Sequence, residues 1–145
     1  MIVNIYVYQS IRGPGTKKGA FTYILETEKD GKLVTLTQSG ILEPMTEKRA
    51  EILVVLKALE RLRKECEVHV IGVSIPVKTA FESWIDKWIK NDWKNARGQE
   101  VANMTEWQQI CEFRNKYVIT MTEFQDHSYK NWMIRETEKK AKECE

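Results

Sequence analysis

The 145-residue sequence predicts a single α/β domain, residues 1–145, built on a mixed five-stranded sheet flanked by helices. Two observations favour this class. Three extended segments rich in β-branched and aromatic residues follow one another near the start, and only turns separate them. Two later apolar segments each come after a helical pattern, which favours parallel pairing. We therefore expect three antiparallel strands followed by two parallel ones.

The first three strands are predicted at 2–8, 19–26 and 33–42. The turn formers of 12–15 separate the first two strands. Asp30-Gly31 joins the second strand to the third, and this dipeptide is typical of tight hairpin turns. We expect Pro44 to end the third strand.

The first helix is predicted from a cap at Thr46 through Lys64, because apolar residues recur in it at helical spacing. These residues are Ala50, Leu53, Val54, Ala58 and Leu62. Residues 68–73 are nearly all apolar, as is typical of a strand buried on both faces. We expect this fourth strand to lie centrally in the sheet.

A second helical region opens at Pro76, and 95–102 is predicted to be a loop. Thr105 is the predicted cap of a further helix, which is followed by a fifth strand at 117–122. A last helix is predicted from about residue 128 to the end. The predicted element order is βββαβααβα.

Composition excludes several classes of protein. Charged residues make up 30% and apolar residues 42% of the chain, and no apolar run approaches the ~18 residues of a membrane-spanning helix. The first ten residues lack the pattern of a signal peptide, so we expect a cytoplasmic protein without a membrane partner. Cys66, Cys111 and Cys144 are an odd number without metal-ligand spacing, and we expect reduced thiols.

Three segments carry a resemblance to a known family. The first is IYVYQS at 5–10, which leads into a glycine-containing turn, and the second is TEKRAE at 46–51. The third is the spacing of the tryptophans between Trp84 and Trp107. Together with the element order, they make almost the whole chain resemble type 1 ribonuclease H, which cleaves the RNA strand of RNA–DNA hybrids. The resemblance implies a ribonuclease-H-like fold with a basic protrusion, the handle, at about 76–102.

The family's chemistry needs a cluster of carboxylates that holds two Mg²⁺ ions beside the scissile phosphate. Carried over by position, the resemblance places these carboxylates at Tyr8, Glu51, Val73 and Ile134, and only Glu51 is acidic. A phenol is protonated near neutral pH, and Val and Ile offer no ligand atoms. We therefore predict a ribonuclease H pseudoenzyme with a degenerate active site, no catalytic residue and no Mg²⁺ or other cofactor. Glu51 should be hydrogen-bonded by Tyr8 or Ser74, or turned to solvent.

The loop before the last helix offers one alternative metal site. It contains Glu123, Asp126 and His127, and His127 matches a histidine in a flexible loop of the family. The other interpretation, which we favour, is a polar surface loop.

Aromatic residues interleaved with basic ones are typical of surfaces that grip a sugar-phosphate chain. The residues predicted to bind nucleic acid are Trp84, Lys87, Trp88, Lys90, Lys94, Arg49 and Thr46. Other roles stay open for several of them. We expect Trp84 and Trp107 to pack the handle onto its neighbouring helix, and Thr46 and Arg49 equally fit a helix cap and a surface arginine.

The leading hypothesis is a catalytically inactive domain that binds an RNA–DNA hybrid or a duplex through the handle. The formal net charge of +2 is too small by itself to indicate a polyanionic partner, and Asp86 and Asp92 interrupt the basic run, so we expect modest affinity. One alternative is a scaffold that binds a protein partner. A third is a metal-dependent hybrid ribonuclease with a remodelled site.

Overall fold

The computed structural model describes residues 1–143, so the prediction for Cys144 lies outside the described residues. Cys66 and Cys111 are buried free thiols. The strands are β1 (Ile2–Gln9), β2 (Lys17–Lys29), β3 (Lys32–Met45), β4 (Glu67–Val73) and β5 (Val118–Glu123). The helices are α1 (Glu47–Leu59), α2 (Ile75–Thr79), α3 (Ile85–Lys90), α4 (Met104–Lys116) and α5 (Lys130–Lys142), and a π-helical turn (Ala80–Trp84) joins α2 to α3.

The five strands form one mixed sheet in the order β3-β2-β1-β4-β5. β1, β2 and β3 pair antiparallel, whereas β4 pairs parallel with both β1 and β5. The predicted fold class is therefore confirmed. Because β1, β4 and β5 run in the same direction, their carboxyl ends at Gln9, Val73 and Glu123 meet at one edge of the sheet.

The β2–β3 hairpin closes through Asp30 and Gly31, which both have positive φ angles, 53° and 77°. These angles are those of the tight turn that the dipeptide predicts. The prediction that Pro44 ends the third strand is wrong, because β3 continues to Met45. β3 lies at the edge of the sheet beside β2, and an edge strand can accommodate a residue that lacks a backbone N–H.

Two apolar clusters hold the helices against the sheet. The larger one lies beneath α1 and α4 and includes the fully buried Ile5 and Trp107. The smaller one lies beneath α5 and contains Tyr6, Ile24 and Met133. Helices thus cover both faces of the sheet, and the edge where β1, β4 and β5 end stays accessible.

The helix boundaries differ from the predictions at three places. α1 ends at Leu59 rather than Lys64, because the chain continues there in a turn. Asn103, in the left-handed conformation with φ 59°, precedes α4, so the predicted Thr105 cap lies inside the helix. α5 begins at Lys130. None of the helices between residues 1 and 143 combines the length and apolarity needed to cross a membrane.

Candidate nucleic-acid interface

The edge where β1, β4 and β5 end holds a cavity of about 210 Å³. Tyr8, Glu51 and Val73, three of the four positions where the resemblance expects carboxylates, line it. Ile134 is half-buried on α5 and is not among the lining residues. The structure therefore brings three of these positions together and leaves the fourth apart.

Glu51 is tied to the end of β4. Its carboxylate accepts a hydrogen bond from the backbone N–H of Ser74, one of the two partners predicted for it. Ser74 is also the N-cap of α2, where its Oγ accepts from Val77 N at 3.4 Å. Burial raises the pKa of Glu51, and the hydrogen bonds from Ser74 oppose this change. The carboxylate is thus already used as an acceptor.

Val73 presents an apolar side chain at the same edge. The residue is fully buried, with 0% of its surface exposed. It follows Gly72, whose φ of 110° is unfavourable for other residues. A Cβ added at Gly72 would lie 2.7 Å from the carbonyl oxygen of Val7, so the two strands approach closely here. The pairing of β4 with β5 shifts register at this glycine, between Ile71 and Val73. A tight approach of β4 to β1 therefore fixes where β4 ends.

The side chains that line the cavity do not offer the oxygen ligands that a pair of Mg²⁺ ions needs. Its carboxylates are Glu51 and Glu47, and Glu47 Oε1 accepts from the backbone N–H of Gly13 at 3.1 Å. Tyr8 contributes a phenol in place of a carboxylate. Among residues 1–143, no group of three His, Cys, Asp or Glu side chains is arranged to hold a metal ion. Hard divalent cations require several oxygen ligands at once.

The three residues of the alternative metal site point to different partners. Glu123 forms an ion pair with Lys78 at 3.3 Å, and Asp126 forms one with Lys130 at 2.8 Å. The ring of His127 instead lies against a tyrosine ring beneath α5, with the ring centroids 4.4 Å apart. Burial lowers the pKa of His127. This arrangement agrees with the polar-loop interpretation.

Sequence reasoning missed Arg12, which lines the cavity beside Tyr8. Its Nη1 donates to the carbonyl oxygens of Gln9 and Ile11 at 2.6 and 2.8 Å. This places its Cζ 5.3 Å from the centroid of the Tyr8 ring. The signal was a cation directly before the glycine turn that follows β1. A positive charge therefore lies beside Tyr8 in the cavity.

Trp84 of the handle is exposed, whereas Trp107 of α4, beyond the handle, is buried. Trp84 is 45% exposed, so the prediction that it packs the handle onto the neighbouring helix is wrong. It ends the π-helical turn, and the wider turn shifts it out of phase with the buried residues. Trp107 is 1% exposed, which confirms its packing role. Trp88 is half-buried between them, with its ring centroid 6.0 Å from those of Trp93 and Trp107.

The basic side chains of the handle face solvent. Lys87 Nζ lies 4.7 Å from the centroid of the Trp84 ring. In the described part of the chain, Lys87, Lys90 and Lys94 have no ion-pair partner, whereas Asp86 pairs with Arg114 at 3.0 Å. Asp86, one of the two acidic residues that interrupt the basic run, is thus paired with Arg114. The three lysines are free to contact phosphates.

Thr46 and Arg49 take the structural roles that the sequence left open. Thr46 Oγ1 accepts from Arg49 N at 3.2 Å and so caps α1, as predicted. The Arg49 side chain pairs with Glu106 of α4 at 3.0 Å and remains 50% exposed. These contacts neither require nor exclude the predicted binding role.

A surface track connects the sheet edge to the handle. We use this name for three adjoining cavities. The first is the cavity beside Tyr8, and the second, of about 490 Å³, shares Glu51 and Ser74 with it. The third, of about 390 Å³, shares Lys48 with the second and reaches Trp84. Trp84 and Trp88, two of the predicted binding residues of the handle, are therefore contiguous with the carboxylate positions.

Comparison with known proteins identifies related sequences. A family model for RNase H matches residues 2–141. The ribonuclease H of Lachnoclostridium phytofermentans is 30% identical over 129 residues, which cover 88% of this chain and 82% of the relative. The ribonuclease H of Chlorobium luteolum is 34% identical over 91 residues, and this match spans 62% of either chain. The ribonuclease H of Acetivibrio thermocellus also matches over 62% of its own length.

Solved structures share the fold. The crystal structure of LC9-RNase H1 superimposes with a TM-score of 0.80 at 17% identity, covering 98% of this chain and 72% of that one. The crystal structure of LC11-RNase H1 in complex with an RNA/DNA hybrid superimposes with a TM-score of 0.60 at 16% identity, covering 97% of this chain and 94% of that one. At these identities the likeness concerns the fold alone.

Proposed function

Since the chain belongs to the ribonuclease H family, we propose that it binds nucleic acid, an RNA–DNA hybrid or a duplex, without cleaving it. The single observation that carries this proposal is the surface track, which joins the exposed Trp84 and Lys87 of the handle to a sheet edge with too few carboxylates for the family's chemistry. Binding and cleavage are thus separable in this chain.

The handle supports binding through charge and shape. Cationic side chains without protein partners attract phosphates, and an exposed indole adds a flat apolar contact. Lys48, exposed at the start of α1, extends the positive surface toward the sheet edge. LC11-RNase H1 binds an RNA/DNA hybrid, and a foamy viral protease–reverse transcriptase binds a hybrid and double-stranded DNA, which favours these ligands as the first to test.

The sheet edge supports the absence of cleavage. The family's mechanism needs two cations held by several carboxylates, and this edge offers Glu51, already bonded to Ser74, beside the phenol of Tyr8 and the isopropyl group of Val73. Removing clustered carboxylates also removes their mutual repulsion and adds buried apolar surface. We therefore expect a fold that is stable without Mg²⁺.

Fluorescence anisotropy with labelled hybrid, duplex and single strands at several salt concentrations tests binding. We expect salt-dependent binding that weakens in the double variant Lys87→Gln/Lys90→Gln. The control, Lys139→Gln/Lys142→Gln, removes two exposed charges at the far end of α5 and should bind like the parent chain. No salt-dependent binding below roughly 100 μM would contradict the proposal.

Incubation of the labelled hybrid with Mg²⁺ or Mn²⁺ tests cleavage. We expect the hybrid to stay intact. Metal-dependent cleavage that Glu51→Gln abolishes would instead establish a nuclease with a remodelled site.

A further inference from the structure

Two aromatic rings and two cations form a row across the sheet edge, which we call the aromatic–cation row. Arg12 Cζ lies 5.3 Å from the centroid of the Tyr8 ring. The Tyr8 and Phe124 ring centroids are 6.4 Å apart. Lys130 Nζ lies 5.2 Å from the centroid of the Phe124 ring. The order along the row is thus cation, ring, ring, cation, and its member Tyr8 lies at a position where the resemblance expects a metal-binding carboxylate.

Backbone contacts hold the row in place. Tyr8 pairs with Thr22 inside the sheet, and the backbone N–H of Phe124 donates to the carbonyl oxygen of Val73 at 3.1 Å. Arg12 is fixed through Nη1 alone, and within residues 1–143 its Nε and Nη2 have no partner. Lys130 is held by its pair with Asp126. These contacts fix the backbone of the two aromatic residues, which lowers the conformational entropy lost on binding.

The rings of the row are accessible. Phe124 is 47% exposed, Tyr8 is half-buried, and both line the 210 Å³ cavity. Two carboxylates beside them, Glu51 and Glu47, already accept hydrogen bonds from backbone N–H groups. The remaining donors of Arg12 can therefore reach an anion at the cavity mouth without displacing an ion pair.

We propose that the aromatic–cation row is a stacking site for an unpaired nucleotide, so that the ligand of this domain is a hybrid or duplex that carries a single-stranded end. Neighbouring base pairs cover the base faces inside a duplex, whereas an unpaired base offers a free face to an aromatic side chain. Arg12 and Lys130 lie on either side of the rings, where the flanking phosphates of a stacked nucleotide would bind. The inference rests on the proposed binding of nucleic acid and specifies the ligand class.

The position of the row suits a ligand with two parts. The surface track leads from the row past Glu51 and Lys48 to Trp84. A paired stem can lie along the handle while its single-stranded end reaches the row. The handle then supplies affinity for any stem, and the row supplies the preference for an unpaired end.

Anisotropy titrations with three ligands test this inference: a blunt hybrid, the same hybrid with a short single-stranded overhang, and that overhang with abasic sites. We expect the normal overhang to bind about 5- to 150-fold more tightly than the blunt hybrid, the range expected for one stacked base. The abasic overhang should lose most of this gain. Phe124→Leu should abolish the gain, so that blunt and overhang hybrids bind this variant with equal affinity.

Trp132→Leu is the matched control, because it removes another exposed aromatic ring, 39% exposed on α5, outside the row. It should keep the full preference for the overhang. Equal binding of blunt and overhang ligands by the parent chain overturns the inference and leaves the proposed function intact. So does a gain that the abasic overhang retains, because that gain would be electrostatic. Absence of binding to every ligand overturns the proposed function itself.

Discussion

The Glu51 carboxylate accepts a hydrogen bond from the backbone N–H of Ser74, and this contact joins α1 to the first residue after β4. Ser74 also caps α2, so one carboxylate supports the junction of a strand and a helix. In the family, the carboxylate at this position holds metal ions. Here the carboxylate is bonded to the protein backbone, so we expect its charge state to affect stability.

Glu51→Gln should stabilise the fold more at neutral than at acidic pH. Burial raises the pKa of Glu51 above its ordinary value of 4.5, so the native state binds this proton more tightly than the unfolded state does. The stability contributed by this group is therefore fully present below pH 4.5 and is lost as pH rises through the raised pKa. Glutamine keeps an acceptor for the Ser74 N–H and does not titrate.

Urea unfolding of both proteins between pH 4 and pH 8 measures this effect. The difference in free energy of unfolding should grow in favour of the glutamine variant across that window. A difference that does not change with pH would show that the carboxylate carries no burial penalty.

Restoring a carboxylate at Val73 should destabilise the protein. Val73→Asp places a charge at a fully buried position, which costs about 3–5 kcal/mol when the charge is unpaired. Thermal unfolding followed by circular dichroism measures the loss. In the triple variant Tyr8→Asp/Val73→Asp/Ile134→Asp, Mg²⁺ should raise the melting temperature, because cations bound by the native state offset the repulsion.

The parent chain is the control for the triple variant, and its melting temperature should not change with Mg²⁺. If Mg²⁺ did not raise the melting temperature of the triple variant, the substituted positions would not share one site. Because Ile134 is not among the residues that line the cavity, comparison with the double variant Tyr8→Asp/Val73→Asp, which keeps Ile134, tests the fourth assignment.

The sequence predicted the sheet well because its strands depend on local patterns. The Asp30-Gly31 turn and the apolar run that became β4 need no distant contact to be recognised. The exposure of Trp84 was missed, because a π-helical turn differs from an α-helix by one residue and leaves no local signal.

The candidate site was predictable only in part, because some of its contacts join residues that are distant in sequence. Tyr8, Glu51 and Val73 could be assigned by position within recognisable segments. The aromatic–cation row could not, because Arg12, Phe124 and Lys130 lie far apart in sequence. They meet only after β5 pairs with β4 and the backbone of Phe124 reaches Val73.

Substitutions at Trp84 of the handle and at Trp107 of α4 should affect binding and stability separately. Trp84→Ala removes an exposed ring and should change the free energy of unfolding by no more than about 0.5 kcal/mol. It should weaken binding of a hybrid, because an exposed aromatic contact is lost. Trp107→Ala removes a buried ring and should cost about 3–5 kcal/mol.

Chemical denaturation and anisotropy on the same samples distinguish these effects. Unchanged hybrid affinity in the folded Trp84→Ala variant would remove this tryptophan from the interface. The Lys87→Gln/Lys90→Gln variant provides the comparison, since it alters charge without removing the ring.

Tyr129 should make the protein sensitive to alkaline pH. Its hydroxyl donates to the buried Glu26 carboxylate, which also accepts from Asn4 Nδ2 at 3.2 Å. The hydrogen bond to Glu26, followed by burial, raises the pKa of Tyr129 to about 12. The native state therefore retains this proton longer than the unfolded chain, and the associated stability is present below pH 10 and lost as pH rises from 10 toward 12.

Tyr129→Phe tests this relationship. The variant should lose about 1.5–3 kcal/mol at neutral pH, the range for a hydrogen bond to a charged group. Its stability should then fall less steeply than that of the parent between pH 10 and pH 12. In an ultraviolet titration of tyrosine ionisation, the variant should also lack the phenol that ionises at the highest pH in the parent. If that phenol persists in the variant, another tyrosine accounts for it, and the Glu26 contact does not control the alkaline limit of the fold.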